Sequence, residues 1–218
     1  DEVHRVLKPT GHFVIEHKSL YRKKQCVLPE MWLVPLLKEA EMFLRDRLVW
    51  WFEIGGDIRK DYFTRRHGVF FWATKTLDTP FYADPIRIPS QWSRSDKRYN
   101  NLGAVPHNVF KINRVHNTRD WWRKDSGHPA LFPPELIDIM VQSLTQPGDL
   151  VVDPFAGIGT VGAVCNWNDR RFIGYEISED YASYGNEHML VATRDTMGAN
   201  WDWLKPDYVY PNGRRNPS

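Results

Sequence analysis

The sequence predicts an α/β fold with a mainly parallel central sheet, and three observations support this prediction. The second half of the chain has the order helix, strand, glycine loop, helix, strand and acidic residue, which is typical of a β-α-β unit. The first half contains short runs of apolar and β-branched residues, as expected for buried strands. The chain has 218 residues, of which 42% are hydrophobic and 26% charged, so it is large enough for one globular domain with an insertion.

The composition excludes several classes of protein. Disordered, collagen-like and coiled-coil chains have a different balance of apolar and charged residues. No stretch approaches the roughly 18 apolar residues of a membrane-spanning helix, and the N-terminal residues lack the apolar run of a signal peptide. The two cysteines, Cys26 and Cys165, are too few for a disulfide framework, so we expect reduced thiols. These features predict no membrane association and a cytoplasmic location.

Residues 1–75 are predicted to form the first group of helices and strands. The opening D-E-V-H-R-V-L-K indicates a helix end that Pro9 and Gly11 close, and H-F-V-I-E-H follows as a strand. Apolar residues recur at helical spacing from 29 to 45, which predicts a helix whose first turns are limited by Pro35. R-L-V-W-W-F-E and G-V-F-F-W-A-T-K then predict two more strands.

Residues 76–126 are predicted to be an irregular insert, because they are rich in Pro, Asn, Ser, Arg and Trp and have no sustained period apart from V-F-K-I-N-R-V. From 55 to 124 the chain has 14 Lys or Arg and 6 Asp or Glu, a balance of +8, whereas from 126 to 204 it has 3 and 11, a balance of −8. Aromatic residues alternate with the basic ones, which suits the phosphates and bases of a nucleic acid. A solvated basic face with aromatic residues packed below it is the alternative.

Residues 127–204 are predicted to form the second half of the domain. A helix E-L-I-D-I-M-V-Q-S-L-T follows Pro133 and Pro134, and D-L-V-V-D is a strand that leads into the loop P-F-A-G-I-G-T. A helix G-T-V-G-A-V-C-N-W, a strand R-F-I-G-Y-E-I and a third helix from Glu179 complete the unit. Residues 205–218 are predicted to be a frayed tail.

The glycine loop is the strongest candidate for a binding site. Gly157, Gly159 and Gly162 form G-x-G-x-x-G after a strand, and Glu176 stands 19 residues after Gly157, where an acid that binds a ribose is expected. NAD and other adenosine cofactors share these features. Asp153 discriminates between them, because a pyrophosphate would be repelled by a carboxylate, whereas S-adenosylmethionine carries an ammonium and a sulfonium and no phosphate. The loop therefore favours S-adenosylmethionine.

Three segments carry a resemblance to a known family. H-P-A-L-F-P at 128–133, D-L-V-V-D-P-F-A-G-I-G-T at 149–160 and R-F-I-G-Y-E-I at 171–177 resemble the amino-DNA methyltransferases, which methylate adenine N6 or cytosine N4. The order of the motifs resembles the β-class, in which the catalytic half precedes a target-recognition region and the cofactor half comes last. E-V-H-R-V-L-K-P-T-G-H-F-V-I and R-H-G-V-F-F-W-A-T-K also look like strands of the family.

The resemblance implies a Rossmann-like, S-adenosylmethionine-dependent methyltransferase fold with a circularly permuted motif order. In it, residues 1–75 are the catalytic half, 76–126 a target-recognition insert and 127–204 the cofactor-binding half. The implied activity is site-specific transfer of a methyl group from S-adenosylmethionine to the exocyclic amine of adenine or cytosine in double-stranded DNA. The cofactor-binding residues that it implies are His128, Ala130, Phe132, Asp153, Pro154, Phe155, Ala156, Gly157, Gly159, Thr160, Glu176 and Ile177.

A basic groove would bind the duplex before the target base is rotated out of the stack. The candidates for contact with phosphates or bases are Arg59, Arg65, Arg66, Arg94, Lys97, Arg98, Arg114, Arg119 and Arg123, with Trp121 or Trp122 as a stacking group. The sequence leaves open the target base, the recognition sequence, the oligomeric state and a restriction endonuclease as partner.

The catalytic tetrapeptide of the family, which is Asp, Ser or Asn followed by Pro-Pro and Tyr or Phe, is not among these 218 residues. The only Pro-Pro pair stands in F-P-P-E at a helix start. In the family the motif precedes the segment equivalent to Asp1, on a strand that would lie between the Val151 strand and the Val14 strand. We therefore expect the sequence to be a fragment of a longer chain, and we assign no catalytic residue within it.

Two other functions stay open. One is a non-catalytic, methyltransferase-like subunit that binds DNA, and the other is a small-molecule methyltransferase, which would have no evident use for the basic stretch. We expect no metal, because His12, Glu16 and His17 stand near a strand end without a fourth ligand. We also expect no covalent intermediate on Cys26 or Cys165, since methyl transfer to an exocyclic amine is a direct displacement.

Overall fold

The computed structural model describes residues 1–54, 60–61, 63–90, 92–115, 130–194 and 196–197. The described residues divide into two compact units. Unit 1 consists of residues 1–81 and 107–113, and unit 2 lies within 82–106 and 114–218. None of the helices in the described ranges is long and apolar enough to cross a membrane.

Unit 1 is built on a four-stranded sheet. Its elements in chain order are α1 (Glu2–Val6), β1 (His12–His17), β2 (Leu20–Arg22), β3 (Gln25–Val27), α2 (Glu30–Glu39), β4 (Phe43–Trp51), β5 (His67–Thr74) and β6 (Val109–Lys111). The strand order is β1-β5-β4-β6, while β2 and β3 form a separate hairpin. β5 is antiparallel to both of its neighbours, and β4 is parallel to β6. Three of the four strands therefore run in the same direction.

The core of unit 1 lies on both faces of β5. Val69, Phe71 and Ala73 point to one face, where they are buried together with Leu37 of α2 and with Met42. Phe70, Trp50 and Phe52 are also buried, and the indole Nε1 of Trp50 donates a 2.6 Å hydrogen bond to the carbonyl oxygen of Ile112. Burial on both sides explains why the run G-V-F-F-W-A-T is almost continuously apolar.

The helix predicted for residues 29–45 is shorter than its apolar pattern indicates. It ends at Glu39, and Glu41 takes a left-handed conformation with a φ of 54° that redirects the chain. Phe43 consequently begins β4 instead of extending the helical face. The hairpin of β2 and β3 is an element that the sequence does not predict, because its turn residues Lys23 and Lys24 have positive φ angles without the usual Asn-Gly signature.

Unit 2 contains the β-α-β unit that the sequence predicts. Its elements are a 3-10 turn (Asp84–Ile86), α3 (Pro134–Leu144), β7 (Leu150–Asp153), α4 (Thr160–Trp167), β8 (Arg171–Gly174) and α5 (Glu179–His188). β7 and β8 are parallel, with Asp153 opposite Gly174 at their carboxyl ends. α3 and α4 bury Ile137, Val141 and Val164 between them. The predicted order of helices and strands from residue 134 onward is confirmed, but the predicted strand R-F-I-G-Y-E-I is too long, because β8 ends at Gly174.

The predicted insert contributes to both units. Residues 82–106 belong to unit 2, where the backbone N–H of Tyr82 donates a 2.8 Å hydrogen bond to Ser143 of α3. β6 belongs to unit 1 and falls in the V-F-K-I-N-R-V run. The boundaries of the insert at 76 and 126 stay a prediction. Within the described residues, β1 pairs only with β5, and β7 pairs only with β8.

Candidate functional site

The glycine loop turns the chain sharply between β7 and α4. Gly157 and Gly159 have φ angles of 55° and 83°, a region that L-residues with side chains rarely adopt. Gly159 is the N-cap of α4, and its N–H donates a 2.9 Å hydrogen bond to the carbonyl oxygen of Ala156. The N–H of Ala156 donates to the carbonyl oxygen of Tyr175, which follows β8. The loop is thereby fixed to the end of the next strand.

The Glu176 carboxylate lies directly beside this loop. Its Oε2 accepts a 2.8 Å hydrogen bond from the N–H of Gly157, and its Oε1 accepts a 2.9 Å hydrogen bond from the N–H of Ser178. A carboxylate has about four acceptor positions, which is more than these two bonds use. The carboxylate is held at the place where the sequence predicts an acid that binds a ribose.

Asp153 stands at the tip of β7. Its Oδ1 accepts a 3.0 Å hydrogen bond from the N–H of Phe155. Burial raises the pKa of Asp153, the bond from Phe155 opposes that shift, and the charge of Glu176 raises the pKa further. The two carboxylates are therefore close enough to interact. Negative charge concentrated beside the loop favours a cationic or hydroxyl-bearing ligand over a phosphate.

The third glycine of the motif serves packing. A Cβ on Gly162 would overlap the Sδ of Met189 and would stand 2.7 Å from Cδ1 of Phe172. Gly174 at the end of β8 is similarly crowded, since a Cβ there would stand 2.8 Å from the Cβ of Ala156. The absence of side chains at these positions lets α4 and the loop lie close to β8.

The remaining cofactor candidates have different environments. Phe155 and Ile177 are 88% and 100% exposed, so both present apolar surface next to the loop. Pro154 is exposed, Ala156 half-buried, and Thr160 buried in the first turn of α4.

The upstream candidates lie before α3. Phe132 packs on the cluster of α3 and α4 together with Val151, whereas Ala130 is exposed. His128 lies outside the described residues. The structure thus brings Asp153 to Thr160 together with Glu176 and Ile177, and the ligand contacts of Ala130 and Phe132 stay predictions.

Asp138 and Asn168 form a buried network that the sequence analysis missed. Asp138 of α3 is fully buried, and its Oδ1 accepts hydrogen bonds from the side-chain amides of Asn168 and Gln142 at 2.6 and 2.9 Å. Arg194 lies 3.4 Å from its Oδ2. Burial raises the pKa of Asp138, which the bonds and nearby cations oppose. The network ties α3 to the C-terminal end of α4, but its residues are too far apart in sequence to give a motif.

Neither cysteine contributes to the loop. Cys165 is fully buried in α4, and burial raises the pKa of its thiol to about 12, so it is protonated at neutral pH. Cys26 is exposed in β3 of the other unit.

The residues weighed as metal ligands have separate contacts. His12 accepts a hydrogen bond from the indole of Trp72, Glu16 pairs with Lys18 at 3.2 Å, and His17 stands 3.7 Å from a carboxylate oxygen of Glu30. The described part of the chain holds no cluster of three or more metal-ligating side chains.

Two of the arginines predicted to contact DNA are held by the protein itself. The guanidinium of Arg65 donates to the carbonyl oxygen of Ser19, and that of Arg66 donates to the carbonyl oxygen of Glu53. Both belong to unit 1. A carbonyl oxygen carries no net charge, so these two bonds occupy donors of each guanidinium without neutralising it, and contact of either arginine with DNA stays a prediction.

The basic candidates in unit 2 fall into two groups. Arg94 and Lys97 are exposed and have no hydrogen bond or ion pair with another described residue. Arg98, by contrast, pairs with Asp96 through two nitrogens and stacks on Trp92. The sequence analysis missed Asp96, although an Asp two residues before an Arg is a signal for such a turn.

The remaining residues predicted to contact DNA are half-buried or lie outside the described residues. Arg114 is half-buried, and Arg59, Arg119 and Arg123 lie outside the described residues, as do Trp121 and Trp122.

Comparison with curated proteins identifies relatives over the whole chain. Type II methyltransferase M.BglII of Bacillus subtilis is 30% identical over 230 residues, which cover 100% of this chain and 62% of the relative. DNA adenine methyltransferase YhdJ of Escherichia coli is 29% identical over 202 residues, which cover 88% of this chain and 65% of the relative. The chain spans between 56% and 65% of the length of the first curated relatives that it matches.

Comparison with solved structures confirms the predicted methyltransferase fold. PvuII DNA methyltransferase, described as cytosine-N4-specific, superposes with a TM-score of 0.69 at 21% identity and covers 88% of this chain and 68% of its own. The M1.HpyAVI-SAM complex superposes with a TM-score of 0.57 at 19% identity, with coverages of 85% and 77%. The family model described as DNA methylase matches residues 1–187. The glycine loop, its acidic partner and all of the chain before them therefore lie within that match, and the chain belongs to the DNA methylase family.

Proposed function

We propose that this chain binds S-adenosylmethionine and DNA as part of a site-specific DNA methyltransferase that acts on the exocyclic amine of adenine or cytosine. The observation that carries the proposal is the position of the Glu176 carboxylate, which accepts the N–H of Gly157 and so lies against the glycine loop. Family membership supports the same activity. The M1.HpyAVI structure, which is described as a complex with SAM, supports the cofactor.

The described residues fit S-adenosylmethionine better than a dinucleotide. Glu176 can accept both hydroxyls of a ribose, and the exposed rings and methyl groups of Phe155 and Ile177 offer apolar surface for an adenine. Asp153 adds a second carboxylate, which attracts an ammonium or a sulfonium and repels a pyrophosphate. Two carboxylates at one glycine loop therefore favour the methyl donor.

Bound S-adenosylmethionine would supply a methyl group for direct displacement by the exocyclic amine of the base. The residues of this chain contribute position and charge to that displacement. Glu176 and the loop backbone fix the nucleoside end, and Asp153 favours the cationic end. The buried, protonated Cys165 takes no part as a nucleophile.

The target base is not decided by the relatives, because YhdJ is named an adenine methyltransferase and PvuII a cytosine-N4 enzyme. The catalytic tetrapeptide is not among the 218 residues, so we propose that another segment supplies the group that holds the base. We then expect the chain alone to bind cofactor and duplex but to transfer no methyl group. A non-catalytic, DNA-binding subunit would behave in the same way, and only a preparation that includes the tetrapeptide separates the two.

Calorimetric titration of the chain with S-adenosylmethionine, and in parallel with NAD, tests the cofactor. We expect heat of binding with the first and none with the second. Binding of NAD, or of neither compound by a folded chain, would refute the cofactor assignment.

Titration of a labelled DNA duplex at several salt concentrations tests the nucleic-acid partner. We expect an affinity that falls steeply as salt rises, because counterions are released from the phosphates. A small-molecule methyltransferase would show no such binding.

We further propose that the protein acts on DNA in the cytoplasm of a bacterium or of a cell infected by a phage. The bacterial sources of M.BglII and YhdJ support this location. The name "Type II methyltransferase" also supports a restriction endonuclease as a partner of the system. Co-purification of the chain from its source would test both the endonuclease and the oligomeric state.

A further inference from the structure

Residues 92–98 form a turn that Asp96 organises. The N–H of Asp96 donates a 2.9 Å hydrogen bond to the carbonyl oxygen of Ser93, and the carbonyl oxygen of Asp96 accepts one of the same length from Tyr99. The Oδ1 of Asp96 also accepts the backbone N–H of Arg98 at 2.9 Å. The backbone on both sides of Arg98 is thus held by its neighbours, in the manner of an Asx turn.

The guanidinium of Arg98 is held in one orientation. Its Nε donates to Oδ1 of Asp96 at 2.9 Å, and its Nη2 donates to Oδ2 at 2.7 Å. Its central carbon lies 3.2 Å from the centroid of the Trp92 ring, so one face of the guanidinium is stacked. Hydrogen bonds from Arg98 lower the pKa of Asp96 to about 2, and the pair is therefore ionised at neutral pH.

This arrangement leaves the other edge of the guanidinium available. The Arg98 side chain is 54% exposed, and its Nη1 has no acceptor among the described residues. Asp96 uses the Nε–Nη2 edge, so one hydrogen of Nη1 and one hydrogen of Nη2 stay available on the Nη1–Nη2 edge. That edge has the spacing with which arginine donates to N7 and O6 of guanine in the major groove.

We propose that Arg98 reads a guanine in the recognition sequence, with Asp96 and Trp92 as positioning residues, an inference that rests on the proposed DNA-binding function. A phosphate contact is less suited to Arg98, because the bidentate pair with Asp96 is neutral as a whole and gives little long-range attraction. The neighbouring Lys97 is exposed, unpaired among the described residues and suited to a phosphate. Arg98 and Lys97 thus have different tasks although both are basic.

Selection from a pool of duplexes with a short randomised centre tests the assignment. The chain is immobilised, retained duplexes are sequenced, and the wild type is compared with Arg98→Ala, Arg98→Lys, Asp96→Asn and Lys97→Ala. We expect the wild type to prefer guanine at one position by about 10-fold or more, the value of a bidentate base contact. Arg98→Ala should lose that preference, and Arg98→Lys should weaken it, because lysine lacks the planar fork that fixes two parallel donors.

The other two variants separate reading from charge. Asp96→Asn keeps the Oδ1 acceptor for the backbone of Arg98 and should weaken the preference for guanine without abolishing it. Lys97→Ala should keep the preference for guanine. It should lower the slope of log affinity against log salt by about the value of one phosphate contact. If Arg98→Ala melts at a lower temperature than the wild type, the test of base reading depends on Arg98→Lys. Lysine keeps the positive charge and an aliphatic chain over Trp92.

Three outcomes would overturn the assignment in different ways. An unchanged base preference in both Arg98 variants would mean that Arg98 only stabilises the turn. A wild type that binds duplexes without preference would refute base reading by Arg98 while leaving DNA binding intact. A folded wild type that retains no duplex at all would refute the proposed function itself.

Discussion

The glycine loop and the turn at residues 92–98 both fix a carboxylate by local hydrogen bonds, but the two carboxylates have different electrostatic effects. At the loop, the hydrogen bond that Asp153 accepts comes from the backbone N–H of Phe155, which carries no net charge. At the turn, the carboxylate of Asp96 is paired with the guanidinium of Arg98. Negative charge can therefore attract a ligand to the loop, whereas the turn offers a pattern of donors.

This difference teaches how one chain can combine two kinds of recognition. In the proposed function, the loop would select a ligand by charge and by the close approach of backbone at Gly157 and Gly159, where φ is positive. In the proposed reading of guanine, the turn would select by the direction of its donor groups, since the charges of Asp96 and Arg98 cancel. Substitutions at the loop should change affinity for a small cation, and substitutions at the turn should change specificity for a base.

The largest effect is expected from Glu176→Ala. Hydrogen bonds to a charged acceptor are each worth up to a few kcal/mol, so the loss of the carboxylate should weaken S-adenosylmethionine binding about 100-fold. The loop should also lose an anchor, because the N–H of Gly157 loses its acceptor. Calorimetric titration measures the change.

Glu179→Gln is the matched control for this substitution. Glu179 is an exposed acidic residue in the first turn of α5, only three positions from Glu176, and has no assigned part in the site. Its replacement should change the affinity less than twofold. Equal weakening in both variants would show that general negative charge, and not the position of Glu176, accounts for binding.

Gly162→Val tests whether the loop depends on close backbone packing. The added side chain would overlap Met189 and Phe172, and such overpacking costs about 2 kcal/mol of unfolding free energy. Denaturant unfolding followed by tryptophan fluorescence measures the loss. Ser183→Val on the exposed side of α5 is the control, because it introduces the same side chain without the overlap. It should lower the free energy of unfolding much less. A Gly162→Val chain as stable as the wild type would mean that α4 is loosely packed.

The loop could be predicted from the sequence because its determinants are local. Positive φ at Gly157 and Gly159 requires glycine, and the strand-helix-strand order fixes where Glu176 returns to the loop. The helix predicted for residues 29–45 is too long, because its end depends on a backbone conformation that the apolar spacing does not indicate. Its apolar spacing continues to Phe43, but the chain direction is set by the left-handed conformation of Glu41, which no residue preference signals.

The basic candidates could not be sorted from the sequence alone. Arg66, Arg94 and Arg98 cannot be distinguished in the sequence. In the structure Arg66 donates to a backbone carbonyl oxygen, Arg94 is unpaired among the described residues, and Arg98 is paired with Asp96. Their roles depend on partners that the tertiary structure supplies. The pairing of Asp138 with Asn168 is hidden for the same reason, since 30 residues separate the two.

Asp153→Asn should weaken S-adenosylmethionine binding about 10-fold, since a partly screened charge pair near a surface is worth on the order of 1–2 kcal/mol. The wild type should also bind less tightly as pH falls. Burial raises the pKa of Asp153, so its carboxylate is charged above that raised pKa and becomes neutral below it, and the neutral form cannot attract a cation. The affinity should therefore begin to fall at a higher pH than for an ordinary aspartate.

Calorimetry at successively lower pH checks this dependence, with Asp153→Asn as the control. The variant should bind weakly and with a flatter pH profile, because an amide does not titrate. If the variant has the same pH profile as the wild type, then another group causes the dependence, and the charge of Asp153 does not define the loop's selectivity.

The smallest effect is expected from Arg94→Ala in the basic segment. Arg94 is exposed and unpaired among the described residues, so its charge is available to a phosphate but has no fixed direction. Its removal should lower the slope of log affinity against log salt by about 0.9, the value for one phosphate contact, and should weaken binding severalfold at moderate salt. The base preference from duplex selection should stay the same, because a flexible phosphate contact carries no sequence information. If Arg94→Ala lost the base preference and kept the salt slope, then Arg94, and not Arg98, would read the sequence. Pairing of an arginine with a carboxylate, as in Asp96 and Arg98, would then not indicate which arginine contacts a base.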